Sequence, residues 1–475
     1  MKLQPRDAAW VYMEQANTPL LSVALYIFDT STDPDGAMKP DEVRAFIAER
    51  VPATSVLTRK LQRVPLDLEH PSWVKDPEFD VGDHVETTDA DGGGWSGLRG
   101  IASDFVGRGL VLHRPPWEMQ VVTGLVDIDG AAEAAAVLMK FHHSVGDGAV
   151  TLELARQLFA SIPTKGSPGT LGGDKASSGV RSAVRALTTT PKQLRTFVRG
   201  IRDVGAAARE VKAEVEAGEI QPPPRTRPAT RFNRSVTPGR SFDAASFMLD
   251  DVRSVKEAAG NVTINDVALT IVAGALRGYL REVGEEPEES LAANVPMSLR
   301  SLEHLDSANQ FTPLQVELHT DIADPLERLR AVHTSAARER DRKQRDAVLR
   351  SESLVDVTPG FVVRPMSWLS AKLPTPSATV PNAHVGVTNV ARGGKDMWLR
   401  KARAVSTYGA AALSERQGLT HAVHSLDNTL TISVLTDPTI MADPAHYVGL
   451  IRSQFDALAA AVGTPVPAAR VNGSG

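Results

Sequence analysis

The run His142-His143-Ser144-Val145-Gly146-Asp147-Gly148 gathers two imidazoles, a carboxylate and two glycines into one short stretch. Imidazole is the usual side chain for accepting a proton near neutral pH, since its unperturbed pKa is about 6.5. A hydroxyl group needs that help before it attacks a carbonyl carbon. If the carbonyl belongs to a thioester, thiolate leaves readily, and a general base plus a donor to the tetrahedral oxyanion suffice. No G-x-S-x-G elbow supplies a serine nucleophile. With no cysteine, the chain has no thiolate nucleophile, no disulfide and no cysteine-held metal. Direct attack, without a covalent enzyme intermediate, is the chemistry such a run would serve.

Those residues need elements to hold them. Ala134 to Phe141 reads as a buried strand, whose alternation puts Val137, Met139, Phe141 and His143 on one face and Leu138, Lys140 and His142 on the other. Only one histidine can then face a given cleft, and His143 is taken as the base. The same geometry argues against a metal: adjacent strand histidines do not converge on one ion, and no HExxH-type pair is present. Beyond Gly148, the series Val150, Leu154, Leu158 marks one face of a helix, so the run sits at a strand-to-helix turn. Asp147 is read as an anchor that accepts backbone donors or pairs with an arginine, and Gly148 as a point of close backbone approach. The plainer alternative is a pair of buried histidines satisfying carbonyls, with Asp147 a simple helix cap.

A chain of 475 residues predicts two domains with room for a cleft between them. Residues 1–160 and 241–463 each alternate strand-like and helix-like segments, an α/β pattern, and 464–475 form a frayed tail. Between them, 161–240 is rich in Gly, Ser, Thr, Pro and Arg, as a connection is. Within it Leu194, Phe197, Val198, Ile201 and Val204 follow a helical pattern, with Lys192, Arg195, Arg199 and Arg202 on another face. A net charge of -5 gives no general attraction to nucleic acid. The opening residues lack the apolar core of a signal peptide, and no stretch is apolar enough to span a bilayer, so a cytoplasmic protein is expected.

The HHxxxDG spelling of His142 to Gly148 resembles the signature of the acyltransferase superfamily that includes chloramphenicol acetyltransferase-like enzymes and condensation domains. The rest is similar, more narrowly, to the bacterial wax ester synthase/diacylglycerol acyltransferase family. Segments that carry the likeness run from about residue 3 to 450. They are Leu3 to Phe28 with Asp7, Glu14 and Pro19; Pro71-Ser72-Trp73-Val74 with Phe79-Asp80 and His84-Val85; and Pro115-Pro116-Trp117-Glu118. In the second half they are Asn265-Asp266-Val267, Val295-Pro296-Met297-Ser298-Leu299-Arg300 and Thr388-Asn389-Val390. Taken singly, Trp73 and Trp117 read as core aromatics and the Asn-Asp pair as a helix cap.

The resemblance implies two chloramphenicol acetyltransferase-like domains with a channel between them and His143 at its middle. It implies acyl-CoA as co-substrate, with no other cofactor, and diacylglycerol or a long-chain alcohol as acceptor. His142, Asp147, Gly148, Asn265, Asp266, Arg300 and Asn389 are the accompanying site residues, with Arg300 the expected partner of Asp147. Two positions depart from the pattern: Ala391-Arg392-Gly393 stands where Pro-Gly-Pro is usual, and Ser22 where a histidine is common. A different donor or acceptor, such as a carrier-protein acyl chain or a diol lipid, and a lipid-binding member without turnover are the alternatives. Water-insoluble substrates imply peripheral contact with the inner membrane or lipid droplets. The Lys192 to Val204 helix and the apolar residues around Pro365 (Phe361, Val362, Val363, Met366, Trp368, Leu369) are the segments suited to it. Each has a plainer role, the helix bridging the domains and the cluster lining the acyl channel.

Overall fold

Alternation along the strand Ala131–His142 sorts its side chains into two cores. Val137, Met139 and Phe141 pack with Tyr26, Phe28, Trp117, Leu154 and Leu158. Ala134, Ala136 and Leu138, facing the other way, pack with Leu25, Ile27, Phe105 and Val122. The computed structural model describes residues 1–31, 38–51, 55–161, 179–222, 227–286, 288–300, 306–372, 379–380, 383–391 and 396–464. Arg392 and Gly393, Pro223 and Pro224, and the end of the tail lie outside them.

Two six-stranded sheets organise the chain. The first runs Trp398–Leu399, Ala402–Ala411, Leu21–Asp29, Ala131–His142, Trp117–Ile128, Val85–Asp89. The second runs Phe311–Glu317, Ala292–Ser298, Val385–Ala391, Leu419–Leu426, Thr429–Thr436, Ser241–Met248. Its core is built on the buried helix Ile264–Glu282, which is started by a capping box between Thr263 and Asp266. A third core, shared by the halves, joins Trp95 and Phe105 to Phe242, Ala244 and Tyr408.

A sequence division at residue 240 does not carry over to the sheets, because Ala402–Ala411 leaves the second half to pair with Leu21–Asp29. It stays fastened to the second sheet as well. Thr431 Oγ1 donates to Thr407 O and Thr420 Oγ1 to Ala411 O, each at 2.7 Å. Gly409 sits at the closest approach: a Cβ there would lie 2.4 Å from His424 Cε1 and 2.7 Å from Val23 O. Within the connecting segment, Gly179–Glu216 is one long helix that contains Pro191.

Gly409→Val is expected to lower stability by about 1–3 kcal/mol or more, since it overfills a contact between two sheets. Gly97→Ala, in the helix Trp95–Gly107 with nothing within 4 Å of the added methyl, should instead hold or raise it by up to about 1 kcal/mol. Urea denaturation midpoints measure both; equal midpoints would show that the halves give way freely at Gly409.

Candidate active site

The strand Ala131–His142 is carried into the motif by backbone bonds from two neighbours. His142 N–H donates to Pro116 O at 3.0 Å and His143 N–H to Leu20 O at 2.9 Å. The chain then turns sharply, with Val145 N–H on His142 O and Gly146 N–H on His143 O. A Cβ at Gly146 would lie 2.5 Å from the Val150 side chain, and one at Gly148 would lie 2.7 Å from Val390 of the second half. The close approach expected at Gly148 is therefore made across the two halves.

The two imidazoles part company as strand alternation requires. His142 is wholly buried; its Nδ1 accepts from Ser144 N–H at 3.1 Å, and its Nε2 lies 3.6 Å from Glu14. His143 lines a cavity of about 610 Å³ between the halves. Trp10, from the helix Pro5–Met13, lies flat on it with ring centroids 4.4 Å apart and planes inclined by 20°. Walls come from both halves: Leu20, Ser22 and Val23 on one side; Asn294, Pro296, Phe311 and Asn389 on the other; and Ala410 to Leu413 from the crossing strand and its exit.

Asp147 is both anchor and cap. Its carboxylate accepts from Ala149 N–H (3.1 Å) and Val150 N–H (3.3 Å), starting the helix Gly148–Phe159. The second half supplies Arg300 Nη2 at 2.8 Å and Gln310 N–H at 3.1 Å. The expected Asp147–Arg300 pair is thus present. From the opposite side Asp7 accepts from Ser307 Oγ, Ala308 N–H, Asn309 N–H and Asn309 Nδ2, at 2.8 to 3.1 Å. Asn309 Nδ2 also donates to His143 O at 2.8 Å.

His143, Asp147, Gly148, Arg300 and Asn389 all border the cavity. Asn265 reaches its rim, accepting from Asn389 Nδ2 at 3.3 Å. Asp266 does not join them: it is 1% exposed, occupied by the capping box and by His333 Nδ1 at 2.8 Å. Trp73 and Trp117 belong to the first core, and Trp117 Nε1 donates to Leu57 O. Trp10, Asn309 and Gln310 carried no motif of their own. Only the spacing of Asp7 and Trp10 by one helical turn hinted at a shared face.

Burial pushes the His143 imidazole down to about 4, against the opposing charge of Asp147 and the Asn309 side chain. His142 is pushed down to about 3, by burial first and by its neighbour His143 second. Both are neutral at neutral pH, so His143 stands ready as a free base. Its Nδ1 is buried without a hydrogen-bond partner among the described residues.

Two α/β halves enclosing a cavity, with the second histidine of an HHxxxDG turn facing into it, define a chloramphenicol acetyltransferase-like acyl-transfer fold. The chain belongs to the wax ester synthase/diacylglycerol acyltransferase family: residues 3–268 match its catalytic domain and 307–459 its C-terminal domain. It is an acyltransferase of that type. A Mycobacterium tuberculosis protein provisionally named a diacylglycerol O-acyltransferase is 28% identical over 472 residues, 97% of each chain. Another of the same organism and provisional name is 30% identical over 457 residues, 93% of this chain and 87% of the other. Among solved structures, the wax ester synthase/diacylglycerol acyltransferase of Marinobacter aquaeolei VT8 superposes with a TM-score of 0.65 at 20% identity, covering 98% of this chain and 100% of that one. The first condensation domain of the calcium-dependent antibiotic synthetase shares the fold at 0.55 and 12% identity, covering 98% and 97%.

Asp147→Ala strands donors of both halves and is expected to cost about 3–5 kcal/mol in chemical denaturation. Arg300→Ala should cost less, about 1–3 kcal/mol, because the buried Asp147 carboxylate it leaves behind keeps the N–H donors of Ala149, Val150 and Gln310. Equal losses in the two variants would show that the ion pair, not the cap, carries the anchor.

Proposed function

We propose that the enzyme transfers a long-chain acyl group from acyl-CoA to the hydroxyl of diacylglycerol or a long-chain alcohol, with His143 as general base and acyl-CoA as its one co-substrate. The observation that carries this reading is the neutral imidazole of His143 facing a largely apolar cavity walled by both halves. The imidazole takes the hydroxyl proton while the oxygen attacks the thioester carbon. The tetrahedral intermediate collapses with loss of CoA thiolate, which recovers the proton from the imidazolium. Among the cavity's polar side chains, Asn294, Thr388 and Asn389 are suited to donate to the oxyanion. Asp147 and Arg300 hold the turn and the opposite wall in register, and His142 supports the turn from behind. The name shared by the mycobacterial relatives favours diacylglycerol as acceptor.

Such acceptors reside in lipid, and among the described residues no single helix is long and apolar enough to cross a membrane. The surface offers a different means of contact. Leu194, Val198 and Ile201 form an outward row on the helix Gly179–Glu216, at 42 to 49% exposure, with Arg195, Arg199 and Arg202 one residue further round. Phe197 and Val204 are half-buried, so the helix also packs inward, and a Cβ at Gly200 would lie 2.4 Å from Val357. Just beyond Val357, the helix Gly360–Lys372 exposes Met366, Trp368 and Leu369. Neighbouring apolar rows beside a basic row suit an anionic lipid surface, such as the inner membrane or a lipid droplet.

His143→Ala is expected to lower transfer of labelled acyl chains by about 100- to 10,000-fold, and His142→Ala by less, as read by lipid separation over a panel of glycerides, alcohols and diols. Wild-type rate in the His143 variant would remove the mechanism; transfer to diols alone would replace the acceptor. Because the neutral base persists down to about pH 4, initial kcat/KM should stay flat through neutral and mildly acidic pH and fall only as pH approaches that value. Arg195→Glu/Arg199→Glu/Arg202→Glu should weaken sedimentation with anionic liposomes, each arginine contributing about 1 kcal/mol, and spare turnover of a short, soluble acyl-CoA and alcohol. Undiminished sedimentation would make the helix purely structural.

A further inference from the structure

The helix Pro5–Met13 reaches His143 twice. Asp7 holds Asn309, and Asn309 Nδ2 holds the His143 carbonyl at 2.8 Å. One turn further along, Trp10 covers the His143 ring, and Phe311 lies tilted against the indole with centroids 6.1 Å apart. The helix itself is held firm. Pro5 stands in its first turn, Arg6 makes a two-pronged bond to Asp356 at 2.5 and 2.9 Å, and Leu3 N–H donates to Pro71 O. An aromatic plane on such a mount fixes the imidazole plane and excludes water from one of its faces. It also presents π density to any positive charge that develops on the ring.

We propose that Trp10 is a positioning residue of the acyl transfer, keeping the His143 imidazole in its cavity-facing orientation and stabilising the imidazolium formed when the hydroxyl proton is taken. The proposal rests on His143 being the base. Other groups facing that ring are Asp147 and His142 from its own turn and Asn309 from the second half, with Asp7 and Arg300 behind Asn309 and Asp147. Trp10 meets the ring by stacking on its face and carries neither a charge nor a titrating proton, so its effect is separable from theirs.

The test uses the full chain with long-chain acyl-CoA and a lipid alcohol. A thiol reagent reads CoA release, and the protein contributes no thiol of its own because it has no cysteine. Trp10→Ala is expected to lower kcat by roughly 10- to 100-fold with the KM for acyl-CoA little changed. Trp10→Phe should recover a large part of kcat, and Trp10→Leu, which fills space without a π face, should recover less. Wild-type kcat in Trp10→Ala would overturn the proposal, and so would a loss confined to KM, which would make Trp10 only a wall of the substrate cavity. If Trp10→Ala fails to fold, the Phe and Leu variants decide: equal rates in both overturn it. His143→Ala is run alongside. Activity in that variant sinks the base itself, whereas a dead His143→Ala beside an unimpaired Trp10→Ala sinks only the role given to Trp10.

Discussion

The carboxylate of Asp147 must be satisfied where water scarcely reaches it, and it is satisfied only while the two halves stay together. Two of its donors start its own helix, and two, from Arg300 and Gln310, belong to the other half. Its side chain is 9% exposed. Pulling the halves apart would leave a buried anion short of half its partners, a cost that buried ions do not recover from weak substitutes. The width of the cavity at His143 is therefore set by hydrogen-bond lengths. Asp7 repeats the device from the opposite side, taking four donors from residues 307–309.

The crossing strand extends the same constraint to the whole molecule. Ala402–Ala411 adds to the edge of Leu21–Asp29 and bonds to the second sheet at Thr431, Thr420 and Ser433. Polar pins join the halves elsewhere. Asp243 accepts from Trp95 Nε1 and Arg99, and Asp129, at the hairpin Trp117–Ile128 to Ala131–His142, accepts from Ser246 and Tyr408. Opening the cleft as a hinge would break all of these at once. On the proposed mechanism, substrates would reach His143 along the cavity, past the small residues Ala410 to Ala412 and Gly386 in its wall.

Local chemistry was legible in the sequence because it is written in local patterns. Alternation from Val137 to His143 separated the two imidazoles correctly, and the Val150, Leu154, Leu158 repeat gave the helix Gly148–Phe159 with Leu154 and Leu158 fully buried. The Arg300 partner was reached through the family resemblance and the need to pair a carboxylate. What stayed hidden is long-range. Nothing near Ala402 to Ala411 says that it completes the first sheet, since its pairing with Leu21–Asp29 depends on surfaces hundreds of residues away. Trp10 and Asn309 belong to no local pattern that would single them out, because what gives them their place is contact with His143 across the fold. Asp266 shows the reverse case, a motif residue whose spacing with Thr263 already spelled a capping box and whose place is that cap.

Burial that keeps His143 neutral has a chemical consequence of its own. If His143 is the base, as proposed, its low basicity leaves it free at neutral pH but gives it less driving force to take a proton than an exposed imidazole would have, because proton-transfer efficiency follows base strength. The site must therefore offset that weakness in other terms. One is positional: an imidazole pinned at its carbonyl by Asn309 and at its ring by Trp10 spends no freedom to reach the hydroxyl. Another is electrostatic, because the environment that disfavours the imidazolium also strengthens its attraction to the nearby Asp147 carboxylate. The third belongs to the donor: thiolate leaves more easily than alkoxide, so the proton need not be fully transferred before the thioester carbon is attacked. On the proposed mechanism, a weak and rigidly held base would be matched to a reactive acyl donor.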